Sequence, residues 1–239
     1  MSVTDHDTVA GLEECESAAT ASGISFVPGI EITAVHEGRD VHVLGYFIDR
    51  HNAAMAEFLE RQRTDRVRRV VEMADKLADL GKPIDRDALR VPRAGRSVGR
   101  PLVAKALVKA GHAADVRQAF EQLIGEGKPA FISRRGPSPS EVIGIINRAG
   151  GIASLAHPGL LKRDELIAGM IDAGMTALEC FHSDHDAATT HHYLALADRH
   201  GALVSGGSDY HCDKERRKAA FGTIALPQER FDKLKARIR

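Results

Sequence analysis

The chain of 239 residues contains no tryptophan, and aromatic residues make up only 5% of it. So few flat rings argue against an extended channel in which successive nucleic-acid bases stack on side chains. Cysteine is nearly as scarce: Cys15, Cys180 and Cys212 are the three, and no two stand in a C-x-x-C pair. That rules against a disulfide framework and a thiolate zinc site, and it fits a reducing cytoplasm. There is no apolar run of about 18 residues and no basic-then-apolar segment at the N-terminus, so a soluble, unexported chain with no membrane partner is expected. Net charge is absent too, since Lys plus Arg and Asp plus Glu both number 33. Nothing global therefore steers the protein to nucleic acid or membrane, although a local basic rim remains open. What is present is apolar mass: at 43% hydrophobic the chain can bury one sizeable core.

Short apolar runs bounded by Gly, Pro or Asp alternate with helical patterns, which predicts an α/β fold. Strands are expected at residues 2 to 4, 24 to 27 running on to 31, 41 to 47, 152 to 156, 176 to 181 and 203 to 205. Six side chains with metal-binding chemistry, His6, Glu31, His42, His157, Asp209 and His211, fall at or just after the ends of these runs. If the strands are neighbours in one parallel sheet, the six converge on one pocket, as in enzymes that build sites at the C-terminal ends of barrel strands. Ordinary turn chemistry explains an Asp or His beside Gly but not their recurrence on strand after strand. Mixed imidazole and carboxylate donors without thiolate suit manganese, iron or zinc better than magnesium or calcium.

Helices are expected at residues 9 to 21, with Leu12, Cys15 and Ala19 on one face, and at residues 52 to 80, where Gly81 ends the run. Shorter helical patterns follow at 100 to 110 and 115 to 124. Because strand signals stop here, residues 52 to 133 read as a helical insertion able to cap the pocket, and residues 1 to 51 and 134 to 239 as the body of the fold. Helices then alternate with strands at 139 to 149, 163 to 173 and 186 to 200. The histidines at 36, 51, 112, 191, 192 and 200 fall in loops or helices and are set aside. Asp7 has two readings, a residue that orients a metal ligand and a cap for the helix from residue 9.

The runs T-D-H-D at 4 to 7, P-G-I-E at 28 to 31, V-H-V-L-G-Y at 41 to 46, L-A-H-P-G at 155 to 159 and G-G-S-D-Y-H at 206 to 211 occur in one order. On these motifs the chain resembles the PHP (polymerase and histidinol phosphatase) family over nearly its whole length. Within it, G-R-P-L-V-A-K-A-L-V at 99 to 108 and G-K-P-A-F-I-S-R at 127 to 134 are similar to the branch of nucleoside 3',5'-bisphosphate phosphatases and 5'-3' exoribonucleases. The resemblance implies a distorted (β/α)7 barrel with a helical insertion and two or three divalent metals, manganese above all, with iron and zinc as alternatives. It also implies that Glu31, His42 and His157 hold one metal, that Glu31 bridges to a second shared with Asp209, and that His6 and His211 hold a third. Metals about 3.5 to 4 Å apart share a hydroxide and clamp the attacking and leaving oxygens at phosphorus.

In the segments matching the bisphosphatase branch, Arg100, Arg134 and Arg135 are candidates to grip a phosphate bidentately. Leu102 stands where the family's R-P-H has its imidazole. His182, in E-C-F-H at 179 to 182, resembles a pocket residue that protonates a leaving oxygen or touches phosphate, while Asp184, His185 and Asp186 look like an exposed loop and helix cap. The family pattern opens with a first strand carrying D-x-H-x-H, and here Met1 stands just before the second motif. A longer natural protein is expected, the alternative being a truncated, weakly active chain. The function expected is hydrolysis of a phosphate monoester of a small nucleotide. Alternatives are exonuclease action on short RNA and a metal-binding remnant without catalysis. No stable protein partner is expected.

Overall fold

The computed structural model describes residues 1–89, 98–210 and 221–238. Six strands lie side by side in chain order, β1 (Ser2–Val3), β2 (Val27–His36), β3 (Arg39–Tyr46), β4 (Ile152–Leu155), β5 (Ala177–His182) and β6 (Leu203–Gly207). The mixed α/β architecture is the expected one, but the parallel sheet is not. β1 with β2, β4 with β5 and β5 with β6 pair parallel, whereas β3 runs against both its neighbours. The cause is local. Glu37 and Gly38 link β2 to β3 in two residues, both with positive φ (50° and 78°), and such a turn can join only antiparallel strands. Glu31 and His42 accordingly lie within strands rather than at their C-terminal ends.

The hairpin register sorts side chains by face. Ile30, Ile32 and Ala34 share one face with Val41 and Val43, all at most 1% exposed, while Glu31 and Thr33 share the other with His42 and Leu44. The apolar face packs against Ile143 and Ile146 of α5 (Pro139–Arg148), whose start is fixed by a reciprocal Ser138 and Glu141 capping box. Burying each of these isoleucines contributes about 1.5–3 kcal/mol. The same period of two that makes the core thus turns the polar residues toward the opposite face.

Helix α1 (Leu12–Ala21) starts three residues later than its pattern suggests, and α2 (Ala53–Asp79) is capped by the Asn52 side chain on Met55 N–H. Two separate buried clusters meet along α2. Met55, Phe58 and Leu59 join the sheet's core, whereas Val70, Met73, Ala74 and Leu77 join a second core with Val103 and Leu107 of α3 (Arg100–Lys109) and with Leu123 and Ile124. The expected helix at 115 to 124 is a single α turn, α4 (Val116–Ala119), running into a π turn, Phe120–Ile124. A short helix α6 (Pro158–Leu161), unforeseen, precedes α7 (Glu165–Asp172), and α8 (Ala187–His200) is capped by Asp186 as expected. Helix α9 (Gln228–Ala236) was not among the expected elements; its Leu234 is buried with Ile152 and Ala177.

Candidate metal centre and the cavity beside it

Glu31 is the hub of the polar face. Its Oε1 lies 2.8 Å from His42 Nδ1 and 3.3 Å from His157 Nε2, and those two nitrogens are 3.2 Å apart. Its Oε2 is 3.5 Å from His6 Nε2, and one donor atom each from His6, Glu31 and His42 falls within 4.8 Å of the others. Burial by itself would raise the Glu31 carboxyl, but hydrogen bonds to His157 and His42 and the charge of His6 outweigh it and hold the group far below its ordinary range. Burial pulls the His157 ring down, but the hydrogen bond and charge of Glu31, with the charges of Glu179 and Asp209, together outweigh it and leave a net rise.

The donor set suits a divalent cation. Three donors separated by 2.8 to 3.3 Å match the edges, about 3.3 Å, of a tetrahedron of ligands at about 2.0–2.1 Å from a metal. His157 Nδ1 is buried with no hydrogen-bond partner. Of the six non-glycine positions with positive φ among the described residues, three belong to this region: Asp7 (53°), His157 (28°) and Asp209 (48°). Non-glycine residues in that region concentrate at functional sites, where the surroundings hold them against strain.

Beside the cluster is a cavity of about 540 Å³, within the usual range for small-molecule sites. It is lined by His42 and His157, by Arg39 and Asp40 from the hairpin, and by Arg69, Arg100, Phe131 and Arg134. Burial, then the neighbouring Arg100, pushes Arg69 down to about 10; burial and Arg66 lower Arg134 against the pull of Asp7. Guanidinium groups crowded and partly desolvated in this way gain by meeting an anion.

No family model matches the chain. A 3',5'-nucleoside bisphosphate phosphatase of Chromobacterium violaceum is 33% identical over 95% of this chain and 82% of its own length. The 5'-3' exoribonuclease Rnm of Escherichia coli is 30% identical over 88% of this chain and 74% of its own. Among solved structures, a protein of Bifidobacterium adolescentis described as a metal-dependent phosphoesterase superposes with a TM-score of 0.84 at 31% identity, covering 99% of this chain and 85% of that one. The chain belongs to the PHP-type phosphoesterases. It is therefore an enzyme of metal-dependent phosphate-ester hydrolysis.

In this phosphoesterase, four of the six residues singled out as ligands, His6, Glu31, His42 and His157, come together directly. Asp209 contacts His182, 3.5 Å from its Nε2, and its charge acts on His157. His211, like Cys212, lies outside the described residues. Asp7 does not cap α1, whose N-cap is Gly11. Its Oδ1 accepts from Thr33 N–H at 3.0 Å and its Oδ2 contacts Arg66 and Arg134, the latter at 3.4 Å. Arg100 and Arg134 line the cavity; Arg135 is exposed and is not among the lining residues. The His182 side chain is wholly buried and also lies outside the lining, because β5 turns it inward beneath the cluster. His185 is no loose loop residue: its ring bonds Cys180 O at 2.9 Å and Gly159 N at 3.2 Å.

Sequence reasoning missed Arg66, Arg69 and Glu179. The first two stand three apart on α2, a spacing that puts both on one helical face. Glu179 was the lone acid in an otherwise apolar strand, and that isolation was the available signal. Its Oε2 accepts from His157 N–H at 2.7 Å, and burial pushes its carboxyl up to about 8.

Proposed function

We propose that this phosphoesterase hydrolyses a phosphate monoester of a small nucleotide of the 3',5'-bisphosphonucleotide type. The observation that carries the reading is the shared cavity, lined both by His42 and His157 and by Arg69, Arg100 and Arg134. Its volume suits a mononucleotide better than a long strand. The likeness to the bisphosphate phosphatase supports the same substrate class.

Within this reading the curled six-stranded sheet is the described part of a PHP barrel, and the described residues between 52 and 133 cover its site. His6, Glu31, His42, His157, Asp209 and His211 hold two or three divalent ions, manganese first and iron or zinc next. When bound, such ions supply an activated water and neutralise charge developing at phosphorus. The chain's own groups do the rest. Glu31 stays ionised and orients the His42 and His157 rings. Arg100 and Arg134 grip phosphate oxygens, joined by Arg69, and Phe131 and Leu161 of the lining exclude water. Asp7 fixes the direction of Arg134 through their contact. The free thiols of Cys15 and Cys180 support a reducing compartment such as the cytoplasm. No helix among the described residues is long and apolar enough to cross a membrane.

The second reading, 5'-3' hydrolysis of short RNA, is favoured by the match to the exoribonuclease. The deciding experiment is manganese-dependent phosphate release from a 3',5'-bisphosphonucleotide set against mononucleotide release from a 5'-phosphorylated oligonucleotide. Preference for the former by kcat/KM supports the phosphatase; preference for the latter replaces it with the nuclease, and turnover of neither removes both.

A further inference from the structure

Strand β5 contributes no member of the clustered donors, yet two of its side chains reach beneath the segments that follow β4 and β6. The bend in β5 makes this possible. Glu179 pairs with Ser205 but Phe181 pairs with Gly206, so two steps on β5 match one on β6, a bulge at Cys180. In an unbroken strand, residues three apart point to opposite faces. The extra residue restores the phase, so Glu179 and His182 are both buried on the side of the polar cluster, 4% and 3% exposed, while Cys180 enters the apolar core.

Neighbouring residues accommodate the bulge. A Cβ at Gly206 would sit 2.7 Å from Phe181 Cβ and 2.9 Å from Phe181 O, so only glycine fits opposite it. The Cys180 carbonyl receives the His185 ring at 2.9 Å.

Each of the two side chains meets a neighbouring loop. Glu179 Oε2 accepts the His157 backbone N–H at 2.7 Å, at the residue whose φ of 28° and ψ of 58° no side-chain cap supports. His182 Nδ1 accepts Asp184 N–H at 3.0 Å. A ring nitrogen that accepts carries no proton, so the neutral imidazole bears its hydrogen on Nε2. That atom is buried with no hydrogen-bond partner and lies 3.5 Å from Asp209 Oδ2, a few tenths of an ångström beyond an ordinary N–H···O bond.

We propose that Glu179 and His182 are positioning residues. Through them the bulged β5 sets the backbone of His157 and the carboxylate of Asp209, the ligand-bearing segments on either side of it. Partners of this kind hold ligands in the geometry a metal requires, and their loss lowers metal affinity without removing a ligand. The inference rests on His157 and Asp209 acting as metal holders.

The test uses the full chain after chelator treatment, with manganese affinity measured by calorimetry and the melting temperature measured without metal. Glu179→Met and His182→Leu should each weaken manganese binding by about 10–100-fold. Glu179→Gln keeps an acceptor for the His157 amide, and His182→Gln keeps a donor toward Asp209, so both should recover most of the affinity. Glu179→Leu, which fills the same space without an acceptor, serves if the Met variant fails to fold. Unchanged affinity in folded Glu179→Met or Glu179→Leu and in His182→Leu overturns the proposal while leaving the metal reading intact, and loss of kcat alone on replacing His182 would make it a proton donor instead. A wild-type chain that binds no manganese overturns the metal reading and this inference with it.

Discussion

Asp7 and Arg134 are 127 positions apart in the chain and meet at 3.4 Å, with Arg66 of α2 on the same carboxylate oxygen. One buried acid thus holds two guanidinium groups, one from the long helix and one from the cavity wall. Replacing Asp7 with Ala leaves both cations without their shared counter-charge. The expected loss is about 3–5 kcal/mol of stability, read from urea denaturation of the chelator-treated chain. No change in the denaturation midpoint would show that the contact is dispensable.

Removal of a charge-assisted hydrogen bond costs about 1.5–3 kcal/mol, roughly a 10–100-fold change in affinity. Arg69→Ala should therefore raise the KM for a phosphate ester, and the inhibition constant of inorganic phosphate, by that order. Arg135→Ala, at an exposed position away from the lining, should leave both within twofold. Steady-state kinetics on the two variants check the contrast, and equal effects would defeat the assignment of Arg69 to the cavity.

The metal-free chain should lose stability as the pH rises from about 5 to 8. Burial lifts Glu179 from its ordinary value of 4.5 to about 8 in the folded state, so between those values the folded chain holds more protons than the unfolded one and stability falls with rising pH. His157, whose net shift is also upward, adds a loss in the same direction as pH rises above its ordinary value of 6.5. Glu179→Gln should flatten the acidic part of the slope, leaving only the later fall. Urea midpoints across this pH range, in the presence of chelator, provide the comparison; a variant slope identical to wild type would rule out Glu179 as its source.

The bulge itself can be probed at Gly206. A methyl group there would press on the backbone and Cβ of Phe181 at under 3 Å, an overpacking that costs about 1–3 kcal/mol. Gly206→Ala should lower the melting temperature and weaken manganese binding together. A stable variant with ordinary metal binding would mean that β5 tolerates the added atom without shifting its partners.

Much of the cluster was legible before the fold was known, because side chains able to bind a metal interrupt apolar runs that they do nothing to fill. His6, Glu31, His42 and His157 all announced themselves in this way. Arg66, Arg69 and Glu179 did not, since an arginine on a long charged helix looks solvated and a single glutamate in a strand looks like its exposed face. Arg135 was singled out with Arg134 and Arg100 from the matching segments, yet beside the buried Arg134 it is exposed and absent from the cavity lining.

Local chemistry by itself determined where the strands and most of the helices run, and which side chains can bind a cation, because period, turn residues and donor type are properties of short stretches. Tertiary structure alone decided that a bulge brings Glu179 and His182 to the same side, and that Asp7 reaches Arg66 and Arg134. Those outcomes depend on pairing between residues far apart along the chain, where register and burial, rather than any local preference, fix which groups meet.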